Sequence, residues 1–265
     1  MRMRKILLAA VALLAAACQT VQTTQPGAIG VQRKQLMLVS EQQVREGAKE
    51  AYRQELEKAR SRNALNTDQA SYRRVQSITK RLIPHTTVFR PDALQWDWQV
   101  NVLTSEEVNA YCMPGGKIMV YTGLIQRLNT TDAELAAVIG HEIAHALREH
   151  SRERISRAYA EQLALAGVAW ATGAGENVMT LARQVSAVTF QLPHSREQET
   201  EADRIGLELM ARAGYDPNAA VSLWEKMLNL GGGGPEFLST HPSGESRIED
   251  LRGKIPLVAP LYRKQ

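Results

Sequence analysis

The chain has 265 residues, of which 44% are hydrophobic and 23% charged, a composition typical of a globular protein with enough apolar material for a buried core. Its formal net charge is +4, but three basic residues lie among the first five, so the remainder is nearly neutral. Because no basic stretch interleaved with aromatic residues stands out either, the sequence argues against nucleic-acid binding.

The N-terminal residues have the pattern of a secretory signal. Three basic residues precede an apolar run that ends in Ala-Ala-Ala-Cys18, and the run is too short to span a bilayer with any margin. Small residues directly before a cysteine resemble the lipobox of bacterial lipoproteins, in which the cysteine is acylated after cleavage. We therefore predict a signal peptide over residues 1–18 and a lipid anchor on Cys18 at the bacterial envelope, facing the periplasm, and Gln19 favours the outer membrane. An ordinary signal peptide or an uncleaved anchor, with an incidental cysteine, is the alternative.

The domain itself is predicted to begin after a linker. Residues 19–37 are polar, contain proline and glycine and show little periodicity, which predicts a flexible tether. Charged helical patterns follow over about 40–62 and 68–82 and are typical of helices with solvated faces. We place one domain over residues 38–255 and a C-terminal tail over residues 256–265.

A strand and a hairpin are predicted next. Apolar and polar residues alternate from Leu94 to Val102, which predicts a half-buried strand. Two short extended stretches then flank Pro114-Gly115-Gly116, and this pattern predicts a hairpin.

The helix after the hairpin has clear sequence signals. Apolar residues recur every four positions from Leu135 to Leu147, and Thr131 with Glu134 forms a capping box. A helix is therefore predicted to begin near Asp132.

This helix carries the motif His141-Glu142-x-x-His145. Histidines one turn apart share a helix face, so both rings can reach one metal ion. Glu142 lies beside the first ligand, where a carboxylate can take a proton from water that the metal has acidified. A core helix that carries two histidines by chance is the alternative. His150 falls off the ligand face and is predicted to be a surface residue.

An acidic cluster is the best source of a third ligand. A catalytic zinc usually has three protein ligands, so the two histidines need one more. The cluster contains two pairs with a spacing of four, Glu199 with Asp203 and Glu197 with Glu201. Either pair can supply one ligand and one carboxylate that braces a histidine, and the spacing alone leaves both open.

Further helices are predicted around this cluster. Two alanine-rich helices precede it, over 159–171 and 176–189, and either pack as core or form a lid. The cluster opens a helix that ends at Gly214, and another follows from Asp216-Pro217 to Leu228. A flexible break at Gly231–Gly234 and a short helix over 245–252 complete the pattern.

Taken together, the motifs resemble a known peptidase family. His141-Glu142-x-x-His145, Ser195-Arg196-x-x-Glu199-x-x-Ala202-Asp203 and His241-Pro242 resemble the zinc peptidase family of HtpX and the CAAX prenyl protease. The Asn109-Ala110 and Pro114-Gly115-Gly116 block is similar to its soluble periplasmic lipoprotein branch, which includes BepA and LoiP and is related to mitochondrial Oma.

The resemblance implies a zincin-like α+β fold, mostly helical, with a small sheet beside the metal helix. It implies one zinc ion bound by His141, His145 and Glu199, with Asp203 behind the ligands and Glu201 either at the surface or behind them. It also places His241 near the metal, either stabilising the oxyanion or occupying the open metal position. The alternative for His241 is a histidine that only precedes a helix.

Other roles remain open from the sequence. Arg247 either pairs with an acidic residue of the site or lies at the surface. In a metallopeptidase, an extended substrate can add to a strand near the metal by main-chain hydrogen bonds. The candidate substrate-binding residues are therefore those of the hairpin, and a purely structural hairpin is the alternative. They are Met113, Gly115, Gly116, Ile118 and Val120.

We expect a zinc-dependent metalloendopeptidase, tethered to the membrane by its lipid anchor, that acts on unfolded or mis-assembled envelope proteins. The substrate class rests on the resemblance only. The competing expectation is a chaperone-like zinc lipoprotein that binds envelope proteins with little turnover. An intact Glu142 argues against it, because a purely structural zinc site needs no base.

Overall fold

The computed structural model describes residues 20–166, 178–230, 236–242 and 244–263. The predicted signal peptide and the lipidation site Cys18 lie outside these residues, as does the predicted break at Gly231–Gly234. Among the described residues, no helix is both long and apolar enough to cross a membrane.

The described residues form a mostly helical α+β fold, as predicted. Within these residues, 3₁₀ helices at Ile83–Val88 and Pro91–Gln95 lie between regular elements, and another at Ala259–Leu261 follows the last helix. In chain order those elements are β1 (Thr20–Val21), β2 (Gln35–Leu36), α1 (Glu41–Ser61), α2 (Gln69–Leu82), β3 (Gln99–Leu103), β4 (Ala110–Met113), β5 (Lys117–Tyr121), α3 (Thr122–Arg127), α4 (Asp132–Leu147), α5 (His150–Ala166), α6 (Val178–Phe190), α7 (Arg196–Arg212), α8 (Asn218–Leu228), α9 (Glu236–Thr240) and α10 (Glu245–Val258).

A three-stranded sheet lies beside the helices, with strand order β3-β5-β4. Strand β5 is central, parallel to β3 and antiparallel to β4. The predicted hairpin is confirmed as β4 and β5. Gly115 and Gly116 both have φ of +80°, a backbone conformation that favours glycine, and they make the tight turn possible.

The predicted strand over Leu94–Val102 begins later than expected, at Gln99. Pro91 opens a 3₁₀ helix instead, and both tryptophan indoles donate hydrogen bonds back to it: Trp96 to Asp92 and Trp98 to the carbonyl of Ala93. The alternating pattern therefore reflects two stacked indole rings as well as a strand.

The sheet separates two hydrophobic clusters. Alternate residues of β4 face opposite sides, so that Ala110 and Cys112 join the main core with α4, α7 and α8. Tyr111 and Met113 join a second cluster with α1 and α6. The predicted helix over 176–189 corresponds to α6, and its residues Ala182, Val185 and Val188 pack in this second cluster.

The predicted flexible tether over residues 19–37 is corrected for residues 20–37, here called the N-terminal segment. This segment forms the β1–β2 pair and binds the domain through polar side chains. Arg33 makes ion pairs with Glu153 and Glu201, and Gln35 is fully buried. Its polar composition is explained by these buried partners, because buried carboxylates need donors.

The helix that carries the His-Glu-x-x-His motif, α4, begins and is capped where the sequence predicts. It begins at Asp132, with Thr131 as N-cap and a capping box formed with Glu134, as predicted. All its residues from Glu134 to Leu147 are buried, so it runs through the core of the domain. At the C-terminal end of the domain, α10 continues to Val258, past the predicted boundary at residue 255.

Candidate metal centre

Four side chains from three elements meet in the interior. His141 and His145 come from α4, Glu199 from α7, and His241 follows α9. The His141 Nε2 and His145 Nε2 atoms are 3.0 Å apart, Glu199 Oε2 lies 3.5 Å from the first and Glu199 Oε1 lies 3.4 Å from the second. His241 Nδ1 lies 3.3 Å from His141 Nε2 and 3.1 Å from Glu199 Oε1. All four side chains are buried.

A close helix crossing brings these residues together. At the contact between α4 and α7, Gly140 faces Gly206. A Cβ on Gly206 would lie 2.8 Å from the His141 nitrogen and 3.0 Å from the Gly140 carbonyl carbon. The two backbones can approach this closely only because neither glycine has a side chain. Glu199, near the start of α7, is thereby held against the histidines of α4.

His141 is braced by a carboxylate. Asp203 Oδ1 lies 3.0 Å from His141 Nδ1, and two nitrogens of Arg247 each donate to Asp203 at 2.7 Å. Burial opposes ionisation of Asp203, but the Arg247 charge and the hydrogen bond from His141 outweigh it and lower the pKa of Asp203. Arg247 also lies 2.8 Å from Glu199. Of the two roles predicted for Arg247, pairing with an acidic residue of the site or lying at the surface, the structure therefore shows the first.

His145 is braced by another histidine. His145 Nδ1 lies 2.7 Å from His150 Nδ1, and His150 Nε2 lies 2.9 Å from Glu201 Oε2. The prediction that His150 is a surface residue is wrong, because the residue is fully buried. The chain turns at Glu149, which has φ of +52°, so His150 does not continue the helical face of α4. Glu201 is likewise buried, next to His150.

Sequence reasoning missed one further histidine of the centre, His194. Its ring lies against His145, with centroids 3.9 Å apart, and stacks on His241 at 4.9 Å. Its main-chain N–H donates to the carbonyl of Thr240. This hydrogen bond joins the segment that leads into α7, the helix of Glu199, to the segment that leads into His241. The available signal was its position directly before Ser195, the N-cap of α7.

Glu142 faces the same space. It is buried, and its Oε1 atom lies 3.5 Å from His241 Nε2 without a hydrogen-bond partner among the described residues. Burial raises the pKa of Glu142 above its ordinary value, although the histidine charges and a hydrogen bond from the main chain of Cys112 oppose this. A buried carboxylate with a raised pKa and a free oxygen can exchange protons with a reacting group.

The donor set fits zinc. Imidazole nitrogen and carboxylate oxygen are zinc ligands, and a tetrahedral site with bonds of about 2.0–2.1 Å has donor atoms about 3.3 Å apart. The donor separations of 3.0–3.5 Å match this spacing. Burial opposes protonation of His141, but hydrogen bonds to Asp203 and Glu199 raise its pKa to about 9. The site therefore attracts positive charge.

The predicted substrate-binding residues lie in two different places. Ile118 and Val120 belong to the central strand β5, whose main chain is paired on both sides, so a main-chain role for them in substrate binding is wrong. Gly115 and Gly116 form the turn, and Met113 ends β4.

The sheet has two edge strands, β3 and β4. The outer side of β3 carries a bridge between Leu103 and Leu65, whereas no described strand pairs with the outer side of β4, here called its free edge. Its residues Tyr111 and Met113 lie opposite Met119 and Lys117 of β5. Because antiparallel pairing alternates, and Asn109 accepts from Tyr121 at 3.1 Å, the main chains of Ala110 and Cys112 point away from β5. Strand β4 packs against α4, and the main chain of Cys112 lies close enough to Glu142 to affect its carboxylate, so this edge runs beside the candidate metal centre.

Comparison with known proteins agrees with this geometry. The sequence profile of Peptidase family M48 matches residues 69–255. The chain is 44% identical over 159 residues to the mitochondrial metalloendopeptidase OMA1 of Arabidopsis thaliana, covering 58% of this chain and 31% of that protein. It is 34% identical over 204 residues to the mitochondrial metalloendopeptidase OMA1 of Bos taurus, covering 72% and 39%.

A bacterial protein is also similar. The chain is 28% identical over 201 residues to the beta-barrel assembly-enhancing protease of Escherichia coli K12, covering 71% of this chain and 39% of that protein. The matched region thus spans less than half the length of each of these relatives.

Proposed function

Since this chain belongs to peptidase family M48 and is a metallopeptidase, we propose that it cleaves internal peptide bonds with one zinc ion, in unfolded or mis-assembled proteins of the bacterial envelope. The observation that carries this proposal is the position of Glu142, buried and with a free oxygen, beside a donor set of zinc-like spacing.

His141, His145 and Glu199 are the proposed zinc ligands. Two arguments support them: the donor separations of 3.0–3.5 Å, and the two histidine Nε2 atoms that face each other while their Nδ1 atoms bond elsewhere. Two ring nitrogens with lone pairs directed at each other repel, and a shared cation removes that repulsion. When bound, zinc supplies Lewis acidity that polarises a carbonyl and makes water more acidic.

Glu142 performs the proton transfers. Its Oε1 atom takes a proton from the attacking water and then delivers it to the nitrogen of the leaving amine. Burial brings the pKa of Glu142 closer to neutral, which suits both halves of this task. The Cys112 main chain lies next to this carboxylate, at the edge of the sheet.

His241 has a resting role and a catalytic one. With Nδ1 3.1 Å from Glu199 and Nε2 3.5 Å from Glu142, its ring occupies the side of the cluster that a substrate carbonyl must enter. In the resting enzyme it covers this position. When substrate enters, the ring moves aside and donates a hydrogen bond to the oxyanion.

The substrate lies along the free edge of β4. Its extended main chain donates hydrogen bonds to the carbonyl groups of Ala110 and Cys112, which point away from β5. The Ala110 N–H already donates to Asn109 Oδ1 and takes no part in this pairing. In this arrangement the enzyme recognises the main chain of the substrate more than its side chains, which suits substrates that are unfolded.

The envelope location and substrate class rest on two observations. The residues before Cys18 have the lipobox pattern, and one relative is a beta-barrel assembly-enhancing protease from Escherichia coli. The chaperone-like alternative is disfavoured because binding without turnover needs no buried base at Glu142.

The test is degradation of an unfolded model protein by the zinc-loaded chain, with Glu142→Gln alongside. Loss of the general base lowers the rate by about 10²–10⁴-fold while zinc content stays unchanged. Glu197→Gln is the matched control, because it makes the same chemical change at an exposed acid of the same cluster and leaves the rate as in the wild type.

Two outcomes would contradict the proposal. If Glu142→Gln cleaves as fast as the wild type, the base is elsewhere. If neither protein cleaves although both contain zinc, the chaperone-like function replaces the peptidase function.

A further inference from the structure

The two histidines of the metal helix are braced in different ways. His141 bonds directly to a carboxylate, that of Asp203. His145 instead bonds through His150, which in turn bonds to Glu201. The family motif on α4 assigns no role to His150, yet within the described part of the chain this residue is the hydrogen-bond partner of His145 Nδ1. All three residues of this chain of contacts are buried.

The direction of each hydrogen bond follows from chemistry. Glu201 is an ionised carboxylate that only accepts, because Arg33 and Arg148 each place two nitrogens within 3.2 Å of it. His150 must therefore donate to Glu201 from Nε2. The remaining ring nitrogen of His150, Nδ1, is then free to accept.

The same reasoning fixes His145. One of the two facing Nδ1 atoms, 2.7 Å apart, must carry the hydrogen. His145 needs a lone pair on Nε2, which lies 3.4 Å from Glu199 in the ligand cluster, so its hydrogen must be on Nδ1. A His150 that accepts this hydrogen holds His145 in the tautomer and ring orientation that a metal ligand requires.

We propose that His150 is a positioning residue of the metal centre, which sets the tautomer of His145 through the relay Glu201–His150–His145. The inference rests on the metal site proposed above. It also gives the N-terminal segment a part in metal binding, because Arg33 bonds to Glu201 through two nitrogens, at 2.8 and 3.0 Å.

Zinc affinity of the full chain, measured by competition with a chelator, tests the proposal. His150→Phe keeps a planar ring but removes both nitrogens, and it weakens zinc binding by about 10–100-fold. His150→Gln restores an acceptor and a donor on one side chain and recovers most of that loss. His85→Phe, in the 3₁₀ helix Ile83–Val88, is the matched control and leaves zinc affinity unchanged.

A second measurement does not depend on how the variants fold. Long-range ¹⁵N–¹H spectra of the histidine rings in the zinc-loaded wild type report which nitrogen carries each hydrogen. The relay requires hydrogen on Nε2 of His150 and on Nδ1 of His145. The opposite tautomer of His150 would overturn the proposal, whatever the variants do.

The outcomes separate this proposal from the one on which it rests. If the wild type binds no zinc, both fail. If the wild type binds zinc and His150→Phe binds it within about threefold as tightly, only the relay fails. The relay also fails if His150→Gln loses as much affinity as His150→Phe, because hydrogen bonding is then not what His150 supplies.

Discussion

Replacing Gly206 by alanine tests whether the crossing of α4 and α7 positions the metal ligands. The new Cβ would lie 2.8 Å from the nitrogen of His141 and 3.0 Å from its Cα. These are backbone atoms of a buried helix, so they cannot rotate away as a flexible side chain could. The helices must separate by about 1 Å to restore ordinary contact distances.

The expected cost can be isolated with a matched variant. Overpacking of this kind costs about 1–3 kcal/mol, whereas alanine gains about 1 kcal/mol over glycine by helix propensity. Gly253→Ala makes the same change in α10, where a Cβ would meet nothing within 4 Å. The propensity gain is common to both variants. The difference between their free energies of unfolding is therefore the overpacking cost, about 1–3 kcal/mol.

Urea denaturation of the metal-free variants, followed by circular dichroism, gives that difference. Zinc affinity is the second readout, because a shift of about 1 Å exceeds the roughly 0.5 Å within which a binding constellation must be held. We expect Gly206→Ala to be the less stable variant and to bind zinc more weakly than Gly253→Ala. Equal stability and equal zinc affinity would refute the argument that glycine at this crossing sets the ligand geometry.

Two further predictions concern Glu153, which is fully buried and bonded to the N-terminal segment. Arg33→Met removes its bidentate partner and should lower the free energy of unfolding by about 3 kcal/mol in urea denaturation. The same change at the exposed Arg53 should have little effect, and equal losses would contradict the docking of the segment. Burial opposes ionisation of Glu153, but hydrogen bonds from Arg33 and two glutamines hold its pKa far below the ordinary value. This carboxylate therefore stabilises the fold fully above its unfolded pKa of about 4.3, and that contribution begins to be lost as pH falls below this value, progressively down to the much lower folded pKa. Unfolding of the wild type at pH 7 and pH 4 should show a larger loss of stability than that of Glu153→Gln, and identical pH dependence would refute this origin.

The features that sequence predicts well here are local ones. The helix from Asp132 to Leu147 was predicted from a capping box and a four-residue apolar period, and both are present. The hairpin was predicted from a glycine pair whose positive φ the turn requires. Each signal concerns residues close in the chain, whose interaction does not depend on the rest of the fold.

The predictions that are wrong concern residues whose partners are distant in the sequence. Residues 20–37 have the composition of a linker, yet Arg33 meets Glu153, which lies 120 positions away in the chain. His150 was placed at the surface because the pattern gave no sign of the turn at Glu149. A polar side chain is expected to be exposed only if the fold offers it no buried hydrogen-bond or ion-pair partner. The composition of a segment contains no information about such partners.

The acidic cluster on α7 combines a correct prediction with positions that the sequence spacing alone could not decide. Spacing left the pairs Glu199 with Asp203 and Glu197 with Glu201 open, and the resemblance favoured Glu199. In the structure Glu199 and Asp203 face α4, Glu201 faces His150, and Glu197 is exposed. Three of the four acids thus serve the metal centre from two sides of α7, and no single face of a helical wheel contains all three.

The supports behind the two histidines come from opposite parts of the chain. Asp203 behind His141 is held by Arg247 of α10, and Glu201 behind His145 is held by Arg33 of the N-terminal segment together with Arg148. The geometry of the proposed metal centre therefore depends on the docking of α10 for His141 and, in part, on that of the N-terminal segment for His145. A chain that still forms α4 and α7 but lacks α10 would keep the motif and lose the orientation of His141, whereas one that lacks the N-terminal segment would hold Glu201 by Arg148 alone.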